Sequence, residues 1–265
     1  VYGTITSSSI GDLFKGGIVA GIMIMVVLFV ICAFLSKKEN WPKSDKRLSL
    51  GEFTKALWSA GLAVMLPVIV LGGIYSGILT PTESAAVAVI YSYLVGTFVY
   101  KELNFKAFAQ ALFITGKTTG IILLIIMNAG IFSWVLTEQG IAARLTELAI
   151  SLTSDKIVML LIINIVFLCA GCVMDNTSAL FILVPIVMPI AKALGIDMIH
   201  LGVVLVLNLS IGQVTPPVGP NLYVAADIAK VKFEKIMRGV TPLLLVSIVA
   251  LLIVTFVPWL SLCLL

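Results

Sequence analysis

Apolar runs long enough to cross a bilayer constrain this chain more than any other feature. A helix needs about 20 mostly apolar residues to span the hydrocarbon core. Residues 16–35, 56–75, 84–100, 108–136 and 239–262 come close to that length or exceed it. Two further apolar arms, 157–173 and 179–194, flank a short polar stretch, and 201–229 is apolar but interrupted. Only 11% of the residues are charged while 60% are hydrophobic, whereas a soluble domain carries roughly 25% charge. So few charges cannot cover a water-facing surface, and lipid is therefore the solvent for much of the molecule. The net charge is only +4, and no basic stripe with interleaved aromatics occurs. Nucleic acid is excluded as a partner on that ground. The fold class is an all-α polytopic membrane protein.

Loop charges set the orientation. A polar segment at 36–55 holds Lys37, Lys38, Lys43, Lys46, Arg47 and Lys55. With this loop cytoplasmic, threading the spans puts Lys101, Lys106, Lys117, Lys230, Lys232, Lys235 and Arg238 on the same side. Lys15, Arg144, Lys156 and Lys192 fall elsewhere. That asymmetry satisfies the positive-inside tendency and places the C-terminus outside. An amphipathic stretch at 141–152 is expected at the interface. The first dozen residues read as a loop, and the chain as the C-terminal part of a longer protein.

An internal echo gives the organisation. I-G-D-L-F-K-G at 10–16 and F-E-K-I-M-R-G at 233–239 each precede a long apolar span. The threading puts them on opposite sides of the membrane, as inverted repeats require.

Two segments depart from lipid-facing helix. In the first, Asp175, Asn176, Thr177 and Ser178 stand consecutively between apolar arms. A full two-span hairpin and a re-entrant hairpin give the same charge parity, so topology does not decide between a plain turn and a tip at membrane depth. The tip's lack of Lys or Arg favours re-entry, as does its supply of capping side chains. The second segment, 208–221, carries Pro216, Pro217 and Pro220 with Gly212 and Gly219. Proline removes a backbone donor and clashes with the preceding turn, so a spanning helix breaks there. Exposed carbonyls at such a break suit a cation, and free N–H groups suit a carboxylate; the alternative is a kink without function. At 80–83, Thr80 or Thr82 with Pro81 and Glu83 reads as a helix start. Gly72, Gly73 and Gly77 read as helix-packing positions, and His200 as an interfacial residue.

Catalytic readings do poorly. No H-E-x-x-H or phosphate-cradling G-x-x-x-x-G-K-[ST] motif is present, and His200 is the single histidine. A paired-aspartate site would lack the second acid beside Asp175. Cys169 and Cys172 form a C-x-x-C pair but lie in an apolar run, where cysteine behaves as a small hydrophobe. A passive pore remains open, although inverted repeats argue for alternating access.

The stretches 72–86 (G-G-I-Y-S-G-I-L-T-P-T-E-S-A-A), 171–191 (G-C-V-M-D-N-T-S-A-L-F-I-L-V-P-I-V-M-P-I-A) and 207–222 (L-N-L-S-I-G-Q-V-T-P-P-V-G-P-N-L) resemble the large membrane subunit of TRAP (tripartite ATP-independent periplasmic) transporters. The resemblance covers essentially the whole chain, from late in the first repeat through the second, and implies four portions: 1–55, the end of the first repeat with one span and the basic loop; 56–155, scaffold spans of the second repeat; 156–230, the transport portion with the hairpin and the broken helix; and 231–265, a final span. It implies an elevator-type, Na⁺-coupled importer of the ion-transporter superfamily in a bacterial inner membrane. The substrate would be a small organic acid, such as a sialic acid or a C4-dicarboxylate. The implied partners are an extracytoplasmic binding protein, a small four-helix membrane subunit and the missing N-terminal half of the same subunit. The implied Na⁺ ligands are Gly171, Gly212, Thr215 and Val218, mostly through backbone oxygens. The implied hairpin tip and substrate cavity comprise Asp175, Asn176, Thr177, Ser178, Asn208, Ser210, Pro216, Pro217 and Gly219.

Overall fold

Short polar side chains at the edges of apolar runs decide where the helices begin. The computed structural model describes residues 1–41, 49–153 and 155–265, and every regular element among them is helical. Lys43, Lys46 and Arg47 of the basic loop lie outside the described residues. A short helix α1 (Tyr2–Thr6) precedes α2 (Ile10–Lys38), whose first turn is capped by Ser9 accepting from the Asp12 N–H. The first dozen residues are therefore not the expected loop. Tyr2 is the reason: its ring is buried and its hydroxyl donates to the Met198 carbonyl at 2.7 Å, pinning the segment to the body. Lys37 and Lys38 close α2 where cations favour the dipole.

Two compact units are formed, one by Val1–Asn40 with Leu124–Leu265 and the other by Trp41–Leu123. In the second unit, α3 (Leu50–Tyr75) turns into α4 (Pro81–Leu94), which runs on as a π-helical turn at Val95–Val99. Thr80 accepts from the Glu83 N–H at 3.3 Å, and the Glu83 carboxylate accepts from the Thr80 N–H at 2.7 Å. With Pro81 at the first helical position, this is the start expected from T-P-T-E. Two of the neighbouring glycines shape the turn. Gly73 lies under Leu79, Gly77 sits at φ +71°, and a Cβ on Gly72 would meet open space. α5 (Phe105–Glu138) starts within this unit, with the Asn104 side chain accepting from the Ala107 N–H.

The first unit holds α1, α2, the later part of α5, and six further helices: α6 (Ile141–Leu152), α7 (Lys156–Val173), α8 (Asn176–Ala193), α9 (Met198–Gly212), α10 (Pro220–Ala229) and α11 (Phe233–Phe256). A four-residue α12 (Trp259–Leu262) follows. Asn164 faces Asn208 and Gly171 faces Gly212, so α7 and α9 run parallel. Gly16, near the start of α2, lies beside Ser261, beyond the end of α11. α2 and α11 therefore run in opposite directions, and the two echoed segments open antiparallel helices. The core is apolar, built by Ile163, Phe167, Leu180, Val184, Leu205 and Leu209.

Six described helices are long and apolar enough to cross a membrane: Ile10–Lys38, Pro81–Val99, Phe105–Leu136, Lys156–Val173, Asn176–Ala193 and Phe233–Phe256. Ala60–Tyr75 and Met198–Gly212 are shorter apolar helices. Phe29 is 74% exposed and Met127 67%, apolar surface that water solvates poorly. The chain is a polytopic all-α membrane protein.

Candidate functional site

α7 stops at Val173 because the next residues prefer to cap a new helix. Asp175 is the cap of α8, its carboxylate accepting from the Ser178 N–H at 3.0 Å. The polar run M-D-N-T-S is thus one tight connection, with Asp175 exposed and Asn176, Thr177 and Ser178 half-buried in the first turn. Asp and Ser at such positions satisfy N–H groups that the helix cannot pair by itself.

The interruption between α9 and α10 has a clear covalent cause. α9 tightens into a last turn in which the Thr215 N–H donates to the Gly212 carbonyl at 2.9 Å. Pro216 and Pro217, joined by a cis peptide bond, then supply no N–H with which to continue. Gly219 sits at φ +53°, and a Cβ there would lie 3.0 Å from the Thr215 carbonyl oxygen. Glycine meets that geometry without strain. Pro220 opens α10, where its missing N–H is no loss.

Tip and break are bound to each other. Gly171 and Gly212 bring α7 and α9 into backbone contact: a Cβ on Gly212 would fall 2.7 Å from the Gly171 Cα. The Gly219 N–H donates to the Cys172 carbonyl at 3.1 Å, and the Cys172 thiol makes a weak contact with the Pro216 carbonyl at 3.9 Å. Gln213 is the bridge: its amide N–H donates to the Asn176 side-chain oxygen at 2.9 Å, and its own oxygen accepts from Asn221 at 3.0 Å. The C-terminal ends of α7 and α9 therefore meet the N-terminal ends of α8 and α10. Helix C-termini present carbonyls with partial negative charge, and N-termini present N–H groups with partial positive charge. Four such ends in one place can hold a cation and an anion side by side.

The side chains named from sequence divide into two sets. Gly171, Asn176, Gly212, Pro216 and Gly219 are drawn together by these contacts, with Asp175, Thr177 and Ser178 on the same tip. The Thr215 hydroxyl donates back to the Ile211 carbonyl at 2.7 Å, leaving its oxygen lone pairs for another partner. Val218 is 38% exposed and Pro217 is exposed beside it. Asn208 turns away from the tip: it is fully buried and donates to the backbone and side-chain oxygens of Asn164 at 2.9 and 2.7 Å. Ser210 is exposed, and its hydroxyl returns to the Val206 carbonyl at 2.8 Å.

Gln213, Asn164 and Cys172 carry contacts that sequence reasoning did not single out. A lone glutamine between glycine and proline in an apolar span was the available signal. His200 is packed inside the protein: it is 1% exposed, with Nδ1 2.6 Å from the Ser261 hydroxyl and Nε2 3.2 Å from the Thr255 carbonyl. Because a carbonyl only accepts, Nε2 carries the proton. Among the described residues no three His, Cys, Asp or Glu side chains converge on one point. The oxygens at the tip and break are chiefly carbonyls, amides and hydroxyls, a donor chemistry suited to hard cations.

Residues 1–260 match the family model described as the tripartite ATP-independent periplasmic transporter, DctM component. The chain is 41% identical over 97% of its length to an isethionate TRAP transporter permease protein of Oleidesulfovibrio alaskensis, covering 41% of that protein. It is 36% identical over 97% of its length to a sialic acid TRAP transporter large permease protein of Vibrio cholerae, covering 60%. It is 41% identical over 100% of its length to a C4-dicarboxylate TRAP transporter large permease protein of Pseudomonas aeruginosa, covering 62%. The chain thus spans between about two fifths and three fifths of these relatives. A family match across residues 1–260, with these relatives beside it, makes this chain a member of the DctM family of TRAP transporter membrane components.

Proposed function

We propose that this chain forms part of the large membrane subunit of a Na⁺-coupled importer of small organic acids, working by elevator-type alternating access in a bacterial inner membrane. The observation that carries the reading is the junction of four helix ends, held together by Gln213 and by the Gly219–Cys172 hydrogen bond. Broken helices with opposed ends near the bilayer midplane are how many secondary transporters bind ions and substrate. The break falls well inside the 198–229 segment and the tip packs against it, which supports a tip at membrane depth. This favours a re-entrant hairpin over a plain surface turn.

Na⁺ is cargo in this reading. Carbonyl oxygens around Gly171, Gly212 and Val218, with the Thr215 hydroxyl, would receive it at the ends of α7 and α9. The N–H ends of α8 and α10 would face the substrate anion, bordered by Asn176, Thr177 and Ser178. The relatives are named for isethionate, sialic acid and C4-dicarboxylates, all small organic anions. A binding protein outside the membrane would deliver the substrate, and a small four-helix membrane subunit would accompany the large one. The matched family and the relatives are transporter permeases, which supports a role in transport and not in catalysis.

The test is uptake of radiolabelled sialic acid and succinate into proteoliposomes. These would hold the full-length parent complex with its binding protein, under an inward Na⁺ gradient or a K⁺ control. Uptake requiring both sodium and the binding protein is expected. Uptake indifferent to sodium would overturn the coupling and restore a passive pore.

A further inference from the structure

The α7–α9 interface contains one polar contact in an otherwise apolar seam, and it lies just below the site. On α9 the residues Leu205, Asn208, Leu209 and Gly212 fall at i, i+3, i+4 and i+7, so they share one face. Asn164, Phe167 and Gly171 do the same on α7. Asn208 is fully buried, and its amide nitrogen donates to both oxygens of Asn164. Asn164 is fixed in turn, because its amide nitrogen donates to the Leu160 carbonyl at 2.9 Å and to the Thr255 hydroxyl at 3.1 Å. Asn164 must therefore present its oxygen to Asn208.

Apolar contacts alone leave the rotation of one helix against another weakly specified, since Leu and Ile surfaces accept several registers. A buried amide pair does not, because a wrong register strands its donors away from water. Register matters here for a steric reason. Turning α9 by one residue would bring Ile211 or Gln213 to the place where even a methyl on Gly212 would collide with the Gly171 backbone. No flexible linker absorbs such a turn, because the break starts at the end of α9 itself. Asn208 also keeps a buried side-chain oxygen without a hydrogen-bond partner, a cost that apolar residues at this seam would not carry.

We infer that the Asn164–Asn208 pair is a positioning device: it sets the rotation of α9 on α7, and through it the alignment of the broken segment at Gly212–Val218 with the hairpin tip. The inference rests on the proposed sodium-coupled transport for its functional consequence, but not for its structural one.

The experiment uses the full-length complex and has two readouts. The first is the sodium concentration for half-maximal uptake. The second is the labelling rate of Cys172 by a membrane-permeant maleimide, with Cys32, Cys169 and Cys263 replaced by Ala. Cys172 is buried against Pro216 and Gly219, and a slipped register is expected to uncover it. Asn208→Leu and the milder Asn208→Ser, which keeps one donor, are compared with Leu201→Ala, a buried packing change farther down α9. Asn208→Leu, which removes both hydrogen bonds to Asn164, is expected to raise both readouts at least about tenfold. Asn208→Ser should fall between it and the parent, and Leu201→Ala should change neither readout. Parental labelling and sodium response in both Asn208 variants overturn the inference, as does an equal effect of Leu201→Ala. If the parent complex shows no sodium-dependent uptake, the transport reading falls while the labelling comparison still decides the positioning role.

Discussion

At the scale of single residues, several side chains satisfy backbone groups. Thr215 is the sharpest case. Its hydroxyl hydrogen is occupied by the Ile211 carbonyl, so its oxygen is turned outward as an acceptor. Thr215→Ala should fold as the parent does and require several-fold more sodium for half-maximal uptake, read from a sodium titration. An unchanged titration would remove Thr215 from the ion site. His200 acts on stability instead. It gives the Thr255 carbonyl, left open at the end of α11, the hydrogen bond that the helix no longer supplies. His200→Ala should lower stability by about 1–3 kcal/mol, the cost of orphaning a buried acceptor. Thermal unfolding of the purified protein reads this, and an unshifted midpoint would mean that water replaces the imidazole. Asp175 as a cap was legible in the sequence because capping is local. Asn164, Gln213 and His200 were not legible, because their partners lie far along the chain: Asn164 and Thr255 are 91 residues apart.

At the scale of elements, the apolar runs located the spans well, and polar residues moved the ends. α2 begins at Ile10 and α11 at Phe233, several residues before the apolar stretch, since Asp12 and Glu234 are favourable in a first turn. α1 was missed because five residues with one buried tyrosine carry no periodic signal. The break at Pro216–Pro217 was legible because proline acts through covalent geometry and not through context. Pro217→Ala restores one backbone donor within the interrupted segment. Transport should fall at least several-fold, while the protein still inserts and purifies. Normal uptake in that variant would show that Gly219 and Pro216 suffice to keep the segment open.

At the scale of the whole molecule, the sequence pattern implied opposite orientations for the two echoed segments, and the antiparallel run of α2 and α11 agrees with that. It did not reveal that α7 and α9 run parallel with their last turns in backbone contact, since pairing between non-consecutive helices leaves no periodic trace. The charge distribution makes one further prediction. A cysteine added after Leu265 should react with a membrane-impermeant thiol reagent in intact spheroplasts, as an outside C-terminus requires. Protection until the membrane is opened would invert the topology and place the basic loop outside.

The meeting of Gly171 and Gly212 also bears on how such a sequence can vary. Every amino acid other than glycine carries a Cβ, and at Gly212 that atom would fall within 3 Å of backbone that cannot step aside. Randomising this codon and selecting for uptake should return glycine alone, with Gly171 nearly as strict. The exposed side chain of Asp175 a few residues away has room for many shapes and is restricted only by its capping hydrogen bond. Selection in this part of the molecule would therefore read backbone spacing more stringently than side-chain chemistry.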